Sequence, residues 1–191
     1  MTRWPELERG EVRIRVLRRR DEAEWLRLRA ENRTWLRPWE ATVPGGAARS
    51  ITFAAYVRGE RRAHRRGTGM PMVIEVDGRL VGRVALTRVE WGAERGGSIG
   101  YWVSEHVAGR GIAPTAVALL TELAFERGLH RIEIAVRPEN AASLRVVQKL
   151  GFREEGLRRS YLFIDGAWRD HRIFALTADE PRRGPFWAGA S

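Results

Sequence analysis

The chain has 191 residues, of which 43% are hydrophobic, and this length and composition predict one domain with a sizeable core. Its formal net charge of +10 at pH 7 favours anionic partners such as phosphates or RNA. The absence of cysteine excludes disulfides, thiolate metal sites and a cysteine nucleophile. Neither a run of about 18 apolar residues nor a signal-peptide pattern is present, so we expect a cytoplasmic protein without a membrane span.

The N-terminal part has the pattern of a strand followed by a helix. Residues 1–10 carry little pattern and are predicted to form a loosely attached terminus. Residues 12–16 alternate apolar and basic side chains, as a half-buried strand does. Asp21 and Glu24 have the spacing of a capping box, which places the first helix over residues 22–32.

A second helix is predicted after an irregular segment. Residues 33–44 contain two tryptophans and two prolines and are expected to form a loop or a broken helix. Ser50 is a suitable cap for a helix that continues to Arg66. Its C-terminal half, residues 58–66, is strongly basic. A solvated face explains this charge, since cations complement the dipole at a helix C-terminus, and contact with RNA or an acidic protein is the alternative.

A β-hairpin and a further strand occupy the middle of the chain. The dipeptide Asp77-Gly78 lies between two alternating apolar runs, residues 72–76 and 80–91, which is a strong hairpin signal. After a polar loop, residues 98–103 continue the meander as a third strand.

A glycine-rich turn follows, with the sequence Ala108-Gly109-Arg110-Gly111-Ile112-Ala113, and it leads into an apolar helix that ends at Gly128. Glycines allow the backbone to bend tightly and to approach a ligand, and the helix N-terminus behind them presents unpaired N–H groups. The turn therefore has the outline of a phosphate-binding loop. A helix-opening turn without a ligand is the alternative.

The C-terminal third predicts a strand, a helix and a second hairpin. Residues 130–136 form the strand, and Asn140 caps a helix that ends near Leu150. Residues 156–164 and 168–176 read as two last strands, and the tail at 178–191 is expected to be irregular and loosely ordered.

The order of strand, glycine turn, amphipathic helix, strand and Asn-capped helix resembles the acetyl-CoA-binding core of the GNAT superfamily of N-acetyltransferases. The pyrophosphate loop of that superfamily has the form Gln or Arg, two residues, Gly, one residue, Gly or Ala. Aligned on this form, the six positions run from Ala108 to Ala113, and Ala108 departs from the pattern. Backbone N–H groups supply most phosphate contacts, so the departure has a mild effect.

Two further segments are similar to the RimJ/RimL branch, the ribosomal-protein alanine and serine N-acetyltransferases. They are residues 31–40, with Glu31-Asn32-Arg33 and Pro38-Trp39-Glu40, and residues 164–171, which form a strand, turn and strand. The resemblance covers residues 12–177. It implies an α/β GNAT fold with a single central mixed, mostly antiparallel sheet, helices on both faces, and a splayed strand pair at the acetyl-CoA site.

The resemblance also implies the positions of the binding residues. The pantetheine arm of acetyl-CoA adds to the strand at Tyr101–Val103, and the N–H near Val103 donates to the thioester carbonyl. Trp39, Glu40 and Tyr101 line the acceptor mouth. The complete set of cofactor-binding candidates is Tyr101, Trp102, Val103, Ala108, Gly109, Arg110, Gly111, Ile112, Ala113, Asn140 and Ser143.

Acetyl transfer requires a neutral amine, a donor for the developing oxyanion, and a proton for the departing thiolate. Because the protein has no thiol, we expect direct transfer in a ternary complex. Ser143 and Tyr161 are the candidate proton donors, and Glu90 is the candidate that accepts the amine proton through water. The alternatives are that Asn140 and Ser143 only cap a helix, that Tyr161 is a packing residue and that Glu90 is an ordinary surface residue. Weaker candidates for the base are Glu40, Glu75 and Glu105.

The chemistry favours an α-amine as acceptor. An N-terminal amine titrates near about 7.8 and lysine near about 10.4, so neutral lysine costs roughly 3.5 kcal/mol more at pH 7. We therefore expect transfer to the N-terminal Ser, Ala or Thr of a protein, by resemblance a ribosomal protein. A small-amine acetyltransferase and a non-catalytic RNA-binding or ribosome-assembly factor are the alternatives. No metal site is expected, His171 is read as a turn residue with Asp170, and both a monomer and a homodimer remain open.

Overall fold

The computed structural model describes residues 5–45 and 51–188, which form one eight-stranded sheet and five α-helices. The strands are β1 Glu6–Arg9, β2 Val12–Arg15, β3 Met70–Val76, β4 Arg79–Glu90, β5 Gly96–Val103, β6 Arg131–Val136, β7 Arg153–Ile164 and β8 Ala167–Thr177. The helices are α1 Glu22–Glu31, α2 Arg33–Leu36, α3 Phe53–Arg65, α4 Ile112–Glu126 and α5 Ala141–Lys149. None of these described helices is long and apolar enough to cross a membrane.

The strands lie in the order β1-β2-β3-β4-β5-β6-β8-β7. All neighbours are antiparallel except β5 and β6, which are parallel. The turn between β3 and β4 has positive φ at both Asp77 and Gly78, 49° and 74°, as the sequence signal requires. This arrangement confirms the predicted mixed, mostly antiparallel sheet.

Two hydrophobic clusters lie on opposite faces of the sheet, because alternate strand residues point in opposite directions. The larger cluster joins α4 to strand residues that include Ile14, Ile74, Leu86 and Ile132. The smaller cluster lies under α1 and α3 and consists of Leu17, Trp25, Leu28, Phe53, Val57, Val73 and Leu80. Helices on both faces were expected, and the structure confirms them.

Both chain ends are packed more tightly than the sequence predicts. Glu6–Arg9 forms a strand, so the expectation of a loose terminus is wrong there, and the guanidinium of Arg9 donates to the Glu122 carboxylate in α4 at 2.7 Å. After Thr177 the described tail is irregular, but Trp187 is only 3% exposed and Phe186 packs on the larger cluster. Residues 1–4 and 189–191 lie outside the described part of the chain.

The start of each N-terminal helix also differs from prediction. Ser50 lies outside the described residues, and Thr52 caps α3 by accepting a hydrogen bond from the N–H of Ala55 at 3.3 Å. Asp21 makes no side-chain cap on α1, and the carboxylate of Glu24 accepts from the N–H of Leu80 instead. The predicted capping box is therefore wrong, since both carboxylates bind partners outside the helix.

Asp21 belongs to a buried ionic network. Its carboxylate accepts from the guanidinium of Arg15 and from the N–H of Arg18, each at 2.7 Å. Arg15 also donates to Glu75 at 2.6 Å, which removes Glu75 from the candidates for a catalytic base. Burial alone would raise the pKa of Asp21, but the hydrogen bonds and charges of Arg15 and Arg18 outweigh it and lower that pKa.

Candidate active site

The sheet opens between its two parallel strands. β5 and β6 are paired only where Gly96, Gly97 and Ser98 lie beside residues 131–133. Beyond Ser98 the two strands separate, so the β6-facing main chain of β5 has no strand partner up to Val103. This is the predicted splayed pair, and an extended ligand can add to such an edge by main-chain hydrogen bonds.

A cleft of about 270 Å³ begins at this opening. β5, the glycine turn, α5 and the end of α2 surround it. The predicted residues that line it are Trp39, Tyr101, Trp102, Val103, Ala108, Gly109, Gly111, Ile112, Ala113, Asn140 and Ser143. The structure therefore brings together most of the cofactor-binding candidates.

The glycine turn has the geometry of an anion-binding loop. Gly109 and Gly111 have φ of 84° and 83°, in the left-handed region that favours glycine. Gly111 is the N-cap of α4 and offers no side chain to its first N–H groups. A Cβ at Gly109 would meet no other atom within 4 Å, so the space beside the turn is open. The helix N-terminus is thus available to a phosphate.

Basic side chains of α5 add positive charge to the cleft. Arg145 and Lys149 line it, and neither forms an ion pair within the described part of the chain. Arg110 was predicted to bind the cofactor, but its guanidinium points away and binds Glu11 at 2.7 Å. The backbone of Arg110 is still part of the turn. The positive charge at the cleft comes from Arg145 and Lys149 of α5, which were not predicted from the sequence.

Ser143 is held at two main-chain atoms. Its N–H donates to Oδ1 of Asn140 at 3.0 Å, and its carbonyl accepts from the hydroxyl of Tyr101 at 3.4 Å. Asn140 is thus a helix cap, as predicted. Burial raises the pKa of Tyr101 to about 12, so this hydroxyl stays protonated and tethers β5 to α5.

Glu90 lies far from the cleft. It pairs with Gly96, whereas Val103 pairs with Gly82 at the opposite end of the β4–β5 ladder. Because a strand rises about 3.3 Å per residue, about 23 Å along β5 separate the partner of Glu90 from Val103. Its partner Gly96 lies four residues, or about 13 Å, from Gly100, and the role of Glu90 in accepting the amine proton through water stays a prediction.

Other predicted residues also lie outside the cleft lining. The hydroxyl of Tyr161 accepts hydrogen bonds from Arg88 and Arg158, in a group of arginines on β4 and β7. The carboxylate of Glu40 binds Arg29 at 2.7 Å. Glu105 is exposed in the turn after β5. None of these three side chains faces the cleft as first expected.

Several residues of the site were not found from the sequence. The indole of Trp35 donates to the carbonyl of Val103 at 3.1 Å and closes the end of β5. Gly100 is exposed although it lies in a central strand, and a Cβ there would meet no atom within 4 Å. A glycine inside a strand often marks a close approach to a ligand, and this signal was available in the sequence.

His171 is also placed differently from the prediction. It lies within β8 and is buried, so the interpretation as a turn residue is wrong. Its Nδ1 lies 3.1 Å from the carbonyl oxygen of Arg169, which can only accept, so the proton is on Nδ1 and Nε2 carries the lone pair. Burial lowers the pKa of His171 and keeps the ring neutral. Within residues 5–45 and 51–188, no group of three or more His, Asp or Glu side chains is arranged to hold a metal.

Comparison with known proteins agrees with this geometry. The family model for the acetyltransferase (GNAT) domain matches residues 11–153. A probable N-acetyltransferase of Bacillus subtilis, YjcK, is 33% identical over 173 residues, which cover 86% of this chain and 93% of that protein. The ribosomal protein uS5-alanine N-acetyltransferase of Escherichia coli is 28% identical over 170 residues, covering 87% of this chain and 88% of that one.

A solved structure is similar over almost the whole chain. Mycobacterium smegmatis RimJ, determined in complex with CoA-disulfide, superposes with a TM-score of 0.84 at 39% sequence identity. The match covers 92% of this chain and 87% of that one.

Proposed function

The chain belongs to the GNAT acetyltransferase family and is an acetyl-CoA-dependent N-acetyltransferase, and from that premise we propose that its acceptor is the N-terminal α-amine of a protein. The observation that carries the proposal is the exposed Gly100 at the splayed strand pair. Because Gly100 has no side chain, the N-terminus of an extended acceptor peptide can reach the middle of the sheet from the face opposite α4.

The described residues fit the cofactor along its length. The free edge of β5 suits the pantetheine arm, and the glycine turn with the N-terminus of α4 suits the pyrophosphate. Arg145 and Lys149 supply unpaired positive charge for the phosphates. When bound, acetyl-CoA supplies the activated acetyl thioester.

The face for the acceptor follows from the alternation along β5. Ile99 is buried on the side of α4, so Gly100 lies on the opposite side of the sheet. Neighbouring floor positions are small, with Ala85 paired beside Gly100 on β4 and Ala135 on β6.

The cleft chemistry favours an α-amine. The described residues that line the cofactor cleft include no Asp, Glu or His. Deprotonating lysine at neutral pH costs roughly 3.5 kcal/mol more than deprotonating an α-amine. A site that offers no base in the cleft therefore suits the acceptor whose deprotonation costs less free energy.

We assign three roles to the chain's own groups in a direct transfer. The main-chain N–H groups of Tyr101 and Val103, on the free edge of β5, orient the acetyl carbonyl and stabilise the negative charge that develops on its oxygen. Ser143, which lines the cleft, donates a proton to the departing sulfur and regains one from water. Water accepts the proton of the amine.

A ribosomal protein is the favoured substrate. The E. coli relative named for the alanine of uS5 covers 87% of this chain, and the similarity extends beyond the cofactor core. The exposed arginines at the end of α3, Arg58, Arg62, Arg65 and Arg66, suit a location near RNA. We expect the first residue of the acceptor to have a small side chain, Ser, Ala or Thr, because the neighbouring positions of the sheet, Gly100 and Ala135, are also small.

A peptide-library assay tests the proposal. Release of CoA is followed with peptides that vary in their first two residues, and with aminoglycosides and polyamines in parallel. We expect Ser-, Ala- and Thr-initiated peptides to give the highest kcat/KM, and Nα-formylated copies to be inert. Turnover of small amines alone would contradict the proposal, and RNA binding without any turnover would favour a non-catalytic factor.

A further inference from the structure

An exposed guanidinium without a carboxylate partner lies on the same sheet face as Gly100. Arg88 of β4 donates to Oγ of Ser98 at 2.8 Å and to the hydroxyl of Tyr161. Its Cζ lies 5.7 Å from the centre of the Tyr161 ring. Within residues 5–45 and 51–188, no carboxylate comes within ion-pair distance of Arg88.

The neighbouring arginines differ in this respect. Arg131 and Arg158 both bind the carboxylate of Glu133, at 2.9 Å and 3.2 Å. Arg83 binds Glu60 at 2.8 Å. Of these four arginines, Arg88 is therefore the one without a carboxylate partner, and Glu133 already has two arginine partners.

The backbone at Arg88 is shaped to present this side chain. The pairing between β4 and β5 shifts register between Thr87 and Glu90, which is a β-bulge. Arg88 has φ of 51°, an uncommon conformation for a residue with a side chain. Bulges redirect side chains beside binding sites, and here the bulge directs the guanidinium toward Ser98 on β5.

The distance from the acceptor floor fits a short peptide. Ser98 and Gly100 are two residues apart on the same face of β5, a separation of about 7 Å. An extended acceptor peptide rises about 3.3 Å per residue, so a chain whose amine lies over Gly100 passes Arg88 with its second or third residue. A planar guanidinium recognises a carboxylate through two parallel hydrogen bonds.

We propose that Arg88, oriented by Ser98 and Tyr161, is an anion subsite of the acceptor groove that selects peptides with Asp or Glu at the second or third position. This inference rests on the proposed N-terminal acetylation. It gives Tyr161 a positioning role for Arg88 rather than the role of proton donor to sulfur.

The test compares peptides that differ only in charge. Ala-initiated peptides carrying Glu or Gln at position 2 or 3 are assayed for kcat/KM with the wild-type enzyme and with Arg88→Gln. We expect the wild type to prefer a Glu peptide by at least 10-fold, and Arg88→Gln to lose that preference. Arg79→Gln, which changes another exposed arginine of β4, is the matched control and should keep it. A charge reversal, Arg88→Glu, should favour the corresponding Lys peptide.

The outcomes separate this inference from the proposed function. If the wild type acetylates Glu and Gln peptides equally, or Arg88→Gln keeps the preference, the subsite is wrong and N-terminal acetylation stands. If no peptide is acetylated by wild-type enzyme that binds acetyl-CoA, both are wrong. Binding of acetyl-CoA by calorimetry shows that each variant is folded.

Discussion

Ser143 lines the cleft, and its main chain is fixed on both sides, by Oδ1 of Asn140 and by the hydroxyl of Tyr101. The side chain itself has no structural task in these two bonds. A substitution there removes the hydroxyl and leaves the helix cap in place, which makes it a clean test of proton transfer.

We expect Ser143→Ala to lower kcat by about 100-fold, because a positioned proton donor contributes about 100- to 10,000-fold to such a step. The Kd of acetyl-CoA and the thermal stability should stay close to the wild type. Tyr161→Phe is the comparison, since Tyr161 is the other hydroxyl that the sequence suggested for this role. A large loss of kcat with a neutral acceptor peptide in Tyr161→Phe, and none in Ser143→Ala, would reverse the assignment.

Residue-level prediction from sequence succeeded where the role depends on local spacing. Asn140 and Ser143 are three residues apart at a helix start, so their contact follows from helix geometry alone. The place of Glu90 could not be predicted, because it depends on which end of the β4–β5 ladder faces the cleft and that register is not visible in the sequence.

Among the elements, the glycine turn before α4 is the one whose backbone conformation most directly determines ligand binding. Gly109 and Gly128 both have φ near 90°, 84° and 91°, and a Cβ at either would meet no atom within 4 Å. Only Gly109 lines the cleft. Alanine would therefore be strained to a similar extent at both positions, but only the one at position 109 would lie beside the ligand.

We predict that Gly109→Ala weakens acetyl-CoA binding at least fivefold, whereas Gly128→Ala does not. Both variants should lose about 1–2 kcal/mol of unfolding free energy, since left-handed backbone is costly for alanine. Calorimetric titration and denaturant melts measure the two effects. Equal affinity in both variants would show that the turn does not contact the phosphates.

The buried network of Arg15, Asp21 and Glu75 stabilises the junction of β2, β3 and the start of α1. The pKa of Asp21 lies below its ordinary value of 3.8, so its ionised form is favoured in the folded state. Its contribution to stability is complete above pH 3.8 and is lost as the pH falls through the lowered pKa. The wild type should therefore lose this stability only in acid.

Arg15→Met should lower the unfolding free energy by about 3–5 kcal/mol at pH 7.5, because two buried carboxylates lose their partner. Asp21 then loses the guanidinium that lowers its pKa, so the penalty should shrink on acidification. Arg79→Met is the control, since Arg79 is exposed at the start of β4 and forms no ion pair within residues 5–45 and 51–188. An equal, pH-independent loss in both variants would contradict the role of the network.

At the scale of the whole molecule, both chain ends are fastened to α4. The carboxylate of Glu122 accepts from Arg9 of β1 at 2.7 Å and from the N–H of Ala188 at 2.8 Å. Phe186 lies 3.4 Å from the position that a Cβ of Gly111 would take, and its ring lies 5.9 Å from Nζ of Lys149. The C-terminal segment thus supports the glycine turn and a cation of the cleft.

Trp187→Ala should lower the unfolding free energy by about 3–5 kcal/mol, as expected for removing a buried large side chain. Trp168→Ala is the matched control, because Trp168 is 56% exposed and Trp187 only 3%. Urea denaturation of the two variants measures the difference. If both lose the same small amount, the tail is not part of the core.

The overall fold could be predicted because its signals are local or come in a recognisable order. The Asp77-Gly78 hairpin and the glycine turn before α4 are fixed by nearby residues. The packing of the ends could not be predicted, since Arg9 binds a partner 113 residues away. The composition of the tail indicated an irregular segment and gave no sign that Trp187 is buried. Long-range ion pairs and burial depend on the assembled sheet.

Locating the transferred acetyl group tests N-terminal acetylation most directly. An Ala-initiated peptide with one internal lysine is incubated with the enzyme and acetyl-CoA, and tandem mass spectrometry identifies the modified nitrogen. We predict a single acetyl group on the α-amine and none on the lysine. Acetylation of the lysine, or no reaction while small amines are acetylated, would contradict the proposed function.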